Sequence, residues 1–320
     1  MKILVTGGTG FLGKHVQNEL DYTDHDVTYV TSKGKSDGKF ARVDLTDPVQ
    51  TWDLIGIEQP DVILHMGAVC GGILANKNSP ADFLTKNLEM GINIFNAIKH
   101  VELFDCKIYT LGTVCAYPKF CPVPFKEDEL WNGYPEETNA PYGHAKRTLL
   151  MLQNTFREQY GLKGAHLIPV NMFGEYDHFD LTNSHVIPAL IRKFDTAIEN
   201  GDSQVEIWGT GKATREFLYA GDCAKAIVSA INNELDTPDP INIGTGGDIS
   251  IGELASKIGE LCQFKGEIVY DTSKPDGQPK RMLDTSRAKE MLDFIADTDF
   301  DEALKRTIDW YRQNKDNIED

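Results

Sequence analysis

Tyr142 and Lys146 stand four residues apart in Tyr142-Gly-His-Ala-Lys146, a spacing that puts a phenol and an ammonium on one face of a helix. A free phenol titrates near pH ~10 and is a poor acid–base group at neutrality; an adjacent ammonium favours its anion and is expected to bring it toward the working range. The same ammonium can hold a ribose. Thr113, just past the apolar run Lys107-Ile-Tyr-Thr-Leu111, offers a hydroxyl to a substrate oxygen. Tyr-x-x-x-Lys alone recurs by chance and gains weight from a second motif, Thr6-Gly-Gly-Thr-Gly-Phe-Leu-Gly13. Gly7, Gly10 and Gly13 are spaced three apart there. That spacing fits a strand–turn–helix whose backbone N–H groups and helix N-terminus receive a dinucleotide's pyrophosphate. Together the two motifs describe hydride transfer between a nicotinamide and a carbon bearing oxygen.

The elements that must position these groups follow from hydrophobic periodicity. Lys2–Thr6, Asp26–Thr31, Val62–His65, Lys107–Leu111 and Ala165–Val170 read as core strands, with helical patterns at Leu12–Leu20, Ala81–Lys99 and Tyr142–Tyr160. Strands alternating with helices imply a parallel sheet covered on both faces, a Rossmann-type doubly wound α/β fold. Beyond about residue 165 the pattern loosens. Val186–Asn200, Gly221–Asn232, Ile251–Cys262 and Asp301–Asn314 read as helices, and Gln204–Trp208 and Pro240–Gly244 as extended. The organisation is therefore a cofactor domain over 1–170 and a smaller C-terminal α/β substrate lobe over 171–320, interleaved with the first across a soft boundary.

Composition narrows the partners. The chain has 320 residues with 41% hydrophobic and 25% charged, ordinary for a globular enzyme. A net charge of −17 argues against nucleic-acid and anionic-membrane surfaces, so cations for an anionic ligand must be gathered locally. The six cysteines (70, 106, 115, 121, 223 and 262) form no Cys-x-x-Cys pair and no metal-ligand spacing, which suits a reducing compartment without a bound metal. No apolar run approaches the ~18 residues that span a bilayer, and a strand-like segment runs straight into the glycine turn where a signal peptide would lie. A cytoplasmic protein is expected.

An NAD-preferring site usually carries Asp or Glu at the end of the second strand, for the ribose 2′-hydroxyl. Thr31-Ser-Lys-Gly-Lys35 instead offers two cations and no carboxylate. Lys33 and Lys35 favour a 2′-phosphate and hence NADP, unless they simply sit on a solvated loop. Asp44-Leu45, after the next strand, could hold the adenine edge.

With the glycine turn, Thr113 and the Tyr142–Lys146 pair in place, the chain resembles the extended short-chain dehydrogenase/reductase superfamily and, within it, the GDP-L-fucose synthase family. The finer resemblance rests on Gly71-Gly-Ile-Leu-Ala-Asn76, Pro80-Ala-Asp-Phe83, Leu111-Gly-Thr-Val-Cys-Ala-Tyr-Pro-Lys119, Asn183-Ser-His-Val-Ile-Pro-Ala-Leu190, Trp208-Gly-Thr-Gly211, Arg215-Glu-Phe-Leu218 and Ser273-Lys-Pro-Asp-Gly277. It implies an NADPH-dependent enzyme that epimerises two carbons of GDP-4-keto-6-deoxy-D-mannose and reduces the ketone. A ketone acidifies the hydrogens on both neighbouring carbons, so inversion needs a base on one face and an acid on the other. The resemblance assigns these roles to Cys115 and His185, whose groups titrate near neutrality. Without it, Cys115 would read as a small buried hydrophobe and His185 as a hydrogen-bonded residue. It also places Gly7, Thr9, Gly10, Phe11, Leu12, Gly13, Leu111, Gly112, Lys146, Pro169, Asn171 and Met172 against the cofactor. Asn171, Lys193, Trp208, Arg215 and Asp276 fall on the nucleotide sugar. Trp208 alone would read as core, and Arg215 alone as a surface charge.

Departures from the family pattern are modest. Thr113 stands where serine is usual, and Gly143-His144 replaces a more apolar pair. The resemblance further implies a homodimer through Ala81–Lys99 and Tyr142–Tyr160. Two rivals stay open: an enzyme of the same chemistry on another GDP-4-keto sugar, of colitose or heptose type, and a cofactor-bound scaffold without turnover. A pure scaffold has no reason to need Thr113, Cys115, Tyr142, Lys146 and His185 together.

Overall fold

The computed structural model describes residues 1–32, 36–180, 184–274 and 276–318; Lys33, Lys35 and the motif positions Asn183 and Pro275 lie outside the described residues. Its main sheet has seven parallel strands: β1 (Lys2–Thr6), β2 (Asp26–Thr31), β3 (Phe40–Arg42), β4 (Val62–His65), β5 (Lys107–Leu111), β6 (Lys163–Pro169) and the segment Ile241–Ile243. From one edge the order is β3-β2-β1-β4-β5-β6 and then Ile241–Ile243. The order reverses between β1 and β4, the crevice where doubly wound sheets bind dinucleotides. Thr6 and His65 face each other in register at the carboxyl ends of these two strands.

Parallel strands buried on both faces read as continuous apolar runs, and every residue of β4, Val62-Ile-Leu-His65, is buried. Helices α1 (Phe11–Leu20), α2 (Pro48–Glu58), α3 (Ile73–Asn78), α4 (Pro80–His100) and α5 (Ala140–Tyr160) connect the strands. Helix α2 opens on Asp47, whose carboxylate accepts from the N–H groups of Val49 and Gln50, with Pro48 in the first turn, a standard N-cap. Helices α4 and α5 approach closely because position 91 is glycine; a Cβ there would fall 2.1 Å from Leu149 Cδ2.

The chain beyond residue 170 serves both layers. Ala220–Asn232 packs on α1 and Ile241–Ile243 joins the main sheet beside β6. A second core gathers Phe173, Phe179, Ile191, Phe194, Ile258 and Leu304 under α6 (Val186–Asn200), Ile251–Cys262 and Phe300–Asn314. Beside it lies a two-stranded sheet of Gln204–Trp208 and Glu267–Asp271. Asp195 of α6 ties this layer to the C-terminal segment, accepting from Arg312 Nε at 2.8 Å and Lys315 Nζ at 2.7 Å.

Candidate active site

At the switch point the glycines meet steric requirements. Gly7 has φ +73°, and a Cβ on it would lie 2.9 Å from the backbone nitrogen of Gly67. A Cβ on Gly13 would lie 2.2 Å from Gly7 O, so α1 can pack against the turn only with glycine there. Gly10 caps α1 without any side-chain hydrogen bond, which leaves the first-turn N–H groups to an anion. This cradle fits a dinucleotide pyrophosphate. Thr9 Oγ1 donates to Thr31 Oγ1 at 3.1 Å, linking the turn to the end of β2. Phe11 and Leu12 open α1. Asp44 accepts from the N–H (2.9 Å) and hydroxyl (2.7 Å) of Thr46, and Leu45 is buried beside Gly67. Gly13→Ala should cost about 2 kcal/mol of stability through overpacking and weaken dinucleotide binding, as read from the melting temperature and an NADPH fluorescence titration.

Thr113, Cys115, Tyr142 and Lys146 are brought to one place by two devices. Gly143 lets α5 lie on the turn at Val114–Ala116, since a Cβ there would sit 2.6 Å from Cys115 O. Arg147 clamps the same turn, donating from Nε to Ala116 O at 2.6 Å and from Nη1 to Gly133 O at 2.9 Å. Thr113 Oγ1 accepts from the N–H of Cys115 at 3.2 Å, and the Cys115 thiol is half-buried. Leu111 ends β5 and Gly112 follows it, its N–H donating to Leu167 O at 2.7 Å.

The net shift of Tyr142 runs opposite to the lowering expected from Lys146. Burial raises the phenol well above the usual tyrosine value, and the charges of Cys70 and Cys115 add to the rise. Lys146 is only 2% exposed, and burial brings its own value down to about 8 against the opposing pull of Cys70. Its Nζ lies 5.8 Å from the centroid of the Tyr142 ring. A one-turn spacing fixes the shared face but not the dielectric, and here desolvation dominates. Tyr142 therefore carries its proton at neutrality. His65 and His166 flank Lys146, each pushed by burial and then by the lysine's charge to about 3.

His185 stands at the N-cap of α6 with its side chain 43% exposed. Its surroundings oppose a charge, but Asp177, with Oδ1 3.9 Å from His185 Nδ1, outweighs them and raises the imidazole above the ordinary histidine value. Asp177 also bears on Cys70, holding its thiol up.

The substrate-side residues form a band next to Cys115. Arg215 is half-buried, its value lowered to about 10 by burial and then by the charge of Arg281. Arg281 Nη1 donates toward Cys115 Sγ at 3.8 Å, and its Nε is held by Gln278 Oε1 at 2.7 Å. Two guanidinium groups so close repel each other unless an anion joins them. Asp276 accepts from the N–H and hydroxyl of Thr210 at 2.6 and 2.7 Å, so its carboxylate shapes this loop. Trp208 is 58% exposed, with Lys193 and Lys274 over its ring at 5.6 and 5.5 Å; it is a surface platform and not core. Asn171, between buried Pro169 and half-buried Met172, donates to Glu216 O at 3.1 Å. Sequence reasoning missed Arg281, whose only signal is its position four residues past Gly277. It also missed Asp177, Cys70 and Arg147. Arg281→Met should weaken binding of a pyrophosphate anion at this site about tenfold by calorimetry, the scale of one charge-assisted hydrogen bond.

Residues 3–244 match the NAD dependent epimerase/dehydratase family. The chain is 37% identical over 318 residues to the GDP-L-colitose synthase of Yersinia pseudotuberculosis, covering 99% of this chain and 100% of that protein. It is 38% identical over 292 residues to the GDP-L-fucose synthase of Sinorhizobium fredii, covering 91% and 89%. Among solved structures, a GDP-L-fucose synthetase from Naegleria fowleri bound to NADP superposes with a TM-score of 0.85 at 28% identity, covering 98% of this chain and 95% of that one. With the strand order, the glycine cradle and the Tyr142–Lys146 helix already in view, the conclusion is that this chain belongs to the NAD dependent epimerase/dehydratase family.

Proposed function

We propose that the protein converts GDP-4-keto-6-deoxy-D-mannose to GDP-L-fucose, inverting carbons 3 and 5 and then reducing the ketone at carbon 4 with NADPH. The observation that carries this reading is the gathering of the Cys115 thiol, the Tyr142 phenol and the buried Lys146 side chain beside the guanidinium groups of Arg215 and Arg281. NADPH, when bound, supplies the hydride. Gly7, Gly10 and Gly13 hold its pyrophosphate, and Lys146 its nicotinamide ribose. Lys33 on the 2′-phosphate would explain a preference for the phosphorylated dinucleotide.

Arg215 and Arg281 grip the GDP pyrophosphate, and Trp208 with Lys193 and Lys274 provides a flat cationic platform for the remainder of the nucleotide. Cys115, as thiolate, takes the proton from a carbon next to the ketone. Tyr142 and Thr113 stabilise the enolate oxygen by hydrogen bonds. His185 returns a proton from the opposite face, inverting the centre. In the reduction Tyr142 gives its proton to the carbon-4 oxygen as the hydride arrives and negative charge develops there.

A second reading is favoured by the full-length similarity to the colitose enzyme. A GDP-4-keto sugar lacking the 3-hydroxyl has one stereocentre beside the ketone instead of two. NADPH oxidation with GDP-4-keto-6-deoxy-D-mannose in deuterated water, with the product analysed by NMR, separates the two. Deuterium at both flanking carbons of GDP-L-fucose supports the first reading. No turnover by a protein that binds NADPH removes it and points to the 3-deoxy sugar.

We also infer a cytoplasmic homodimer. The outer faces of α4 and α5 expose Ile92 and Met151, and sedimentation at the monomer mass would remove the dimer. Six unpaired cysteines suit the cytoplasm, and cell fractionation checks that. Among the described residues no helix is long and apolar enough to cross a membrane.

A further inference from the structure

We propose that Asp177 is a positioning residue that holds His185 as the cationic proton donor, an inference that rests on the assignment of His185 as the acid of the epimerisation. Asp177 lies in the loop between Asn171–Phe173 and α6, and its side chain is 1% exposed. Its Oδ1 accepts from the N–H of His178 at 2.8 Å and faces His185 Nδ1 at 3.9 Å, while its Oδ2 has no hydrogen-bond partner. A buried carboxylate oxygen left unpaired is costly and calls for a nearby cation. His185 is that cation. Its ring, 43% exposed, keeps the freedom to close the remaining distance once substrate fills the site.

The position of His185 makes such a partner necessary. It sits at the N-cap of α6, where the helix dipole and the free N–H groups disfavour positive charge. Burial by the surrounding walls acts in the same direction, and the net rise in the imidazole comes from Asp177. The other titratable groups around the carboxylate are His15 of α1, Cys70 of the loop after β4 and Glu175 of its own loop. His15 is lowered by burial, so it stays neutral and does not compete for the carboxylate. Cys70 lies at the exposed end of its loop and forms no ion pair with the carboxylate among the described residues. Glu175 is engaged by the Tyr219 hydroxyl at 2.9 Å. The charge of Asp177 is thereby left for His185. The consequence is an imidazole held above the ordinary histidine value by its carboxylate partner, which favours its proton-bearing form on the face of the enolate opposite Cys115.

The test is an NMR titration of isotopically labelled histidines in the full-length enzyme, with His185 assigned by its disappearance in His185→Asn. The wild-type imidazole should titrate above ~6.5, and Asp177→Asn should lower it by about one pH unit. Solvent deuterium exchange next to the ketone should lose its basic limb at correspondingly lower pH. The loss would then be about tenfold at pH 8 and small at pH 6. An unchanged His185 titration in folded Asp177→Asn, or an equal loss at every pH, overturns the proposal. If that variant does not fold, a wild-type His185 value at or below ~6.5 overturns it just as directly. Exchange at both carbons by His185→Asn would instead remove the acid role beneath it, an outcome visible independently of the titration.

Discussion

Tyr142→Phe should lower NADPH oxidation by about a thousandfold, within the range for losing a positioned general acid, while solvent deuterium still enters the carbons next to the ketone. The expectation follows from which groups touch which atoms. The lost hydroxyl is the one that would protonate the carbon-4 oxygen as the hydride arrives. Inversion depends on Cys115 and His185, with Thr113 left to stabilise the enolate. The substitution preserves the fold, because the Tyr142 ring stands edge-on to Phe83 at 6.1 Å and phenylalanine keeps that contact. Stopped reduction with continuing exchange separates the two half-reactions on one protein. Undiminished NADPH oxidation would take Tyr142 out of the mechanism. Loss of both activities with a native melting temperature would show the phenol to be the main support of the enolate, with Thr113 contributing little.

How far the sequence disclosed this arrangement depended on whether a signal was local. The turn from β1 into α1 was legible because the backbone geometry demands glycine at Gly7 and Gly13, and steric demands leave a residue-type signature. The edges of α6 and of Gln204–Trp208 were legible because their apolar periods are clean. Helix α2 escaped, since Val49 and Ile57 are apolar yet 57% and 77% exposed, which blurs the helical period. Its Asp47-Pro48 start was the available clue. Trp208 read as core by residue type but lies open to solvent between two lysines. Groups that act through space left no mark. Arg281 reaches Cys115 from 166 positions away, and Asp177 meets His185 across a loop with no periodic relation. The direction of the Tyr142 shift was illegible for a related reason. The four-residue spacing specifies a face, whereas the burial of the ring, to which Phe83 contributes, and the influence of Cys70 and Cys115 come from separate segments.

Cys115→Ser should leave ketone reduction in place and reduce epimerisation by at least about a hundredfold, the lower range for a lost catalytic base. A hydroxyl gives up its proton far less readily than a thiol, so serine fills the same space without supplying a base. The surrounding structure should tolerate the change. The side chain is half-buried, its backbone N–H is held by Thr113 Oγ1, and the turn is clamped from below by Arg147. Arg281, which reaches the sulfur at 3.8 Å, can donate to the new hydroxyl, so the anion site survives as well. The product should then be a reduced GDP-sugar with unchanged configuration at one or both carbons flanking the former ketone, with no deuterium at those positions. Retained GDP-L-fucose formation would refute the thiol as base and shift that role to another group in reach of the substrate. Cys70, whose charge also bears on Tyr142, is the first to test. The Cys115→Ser result therefore decides between two thiols that local sequence cannot rank.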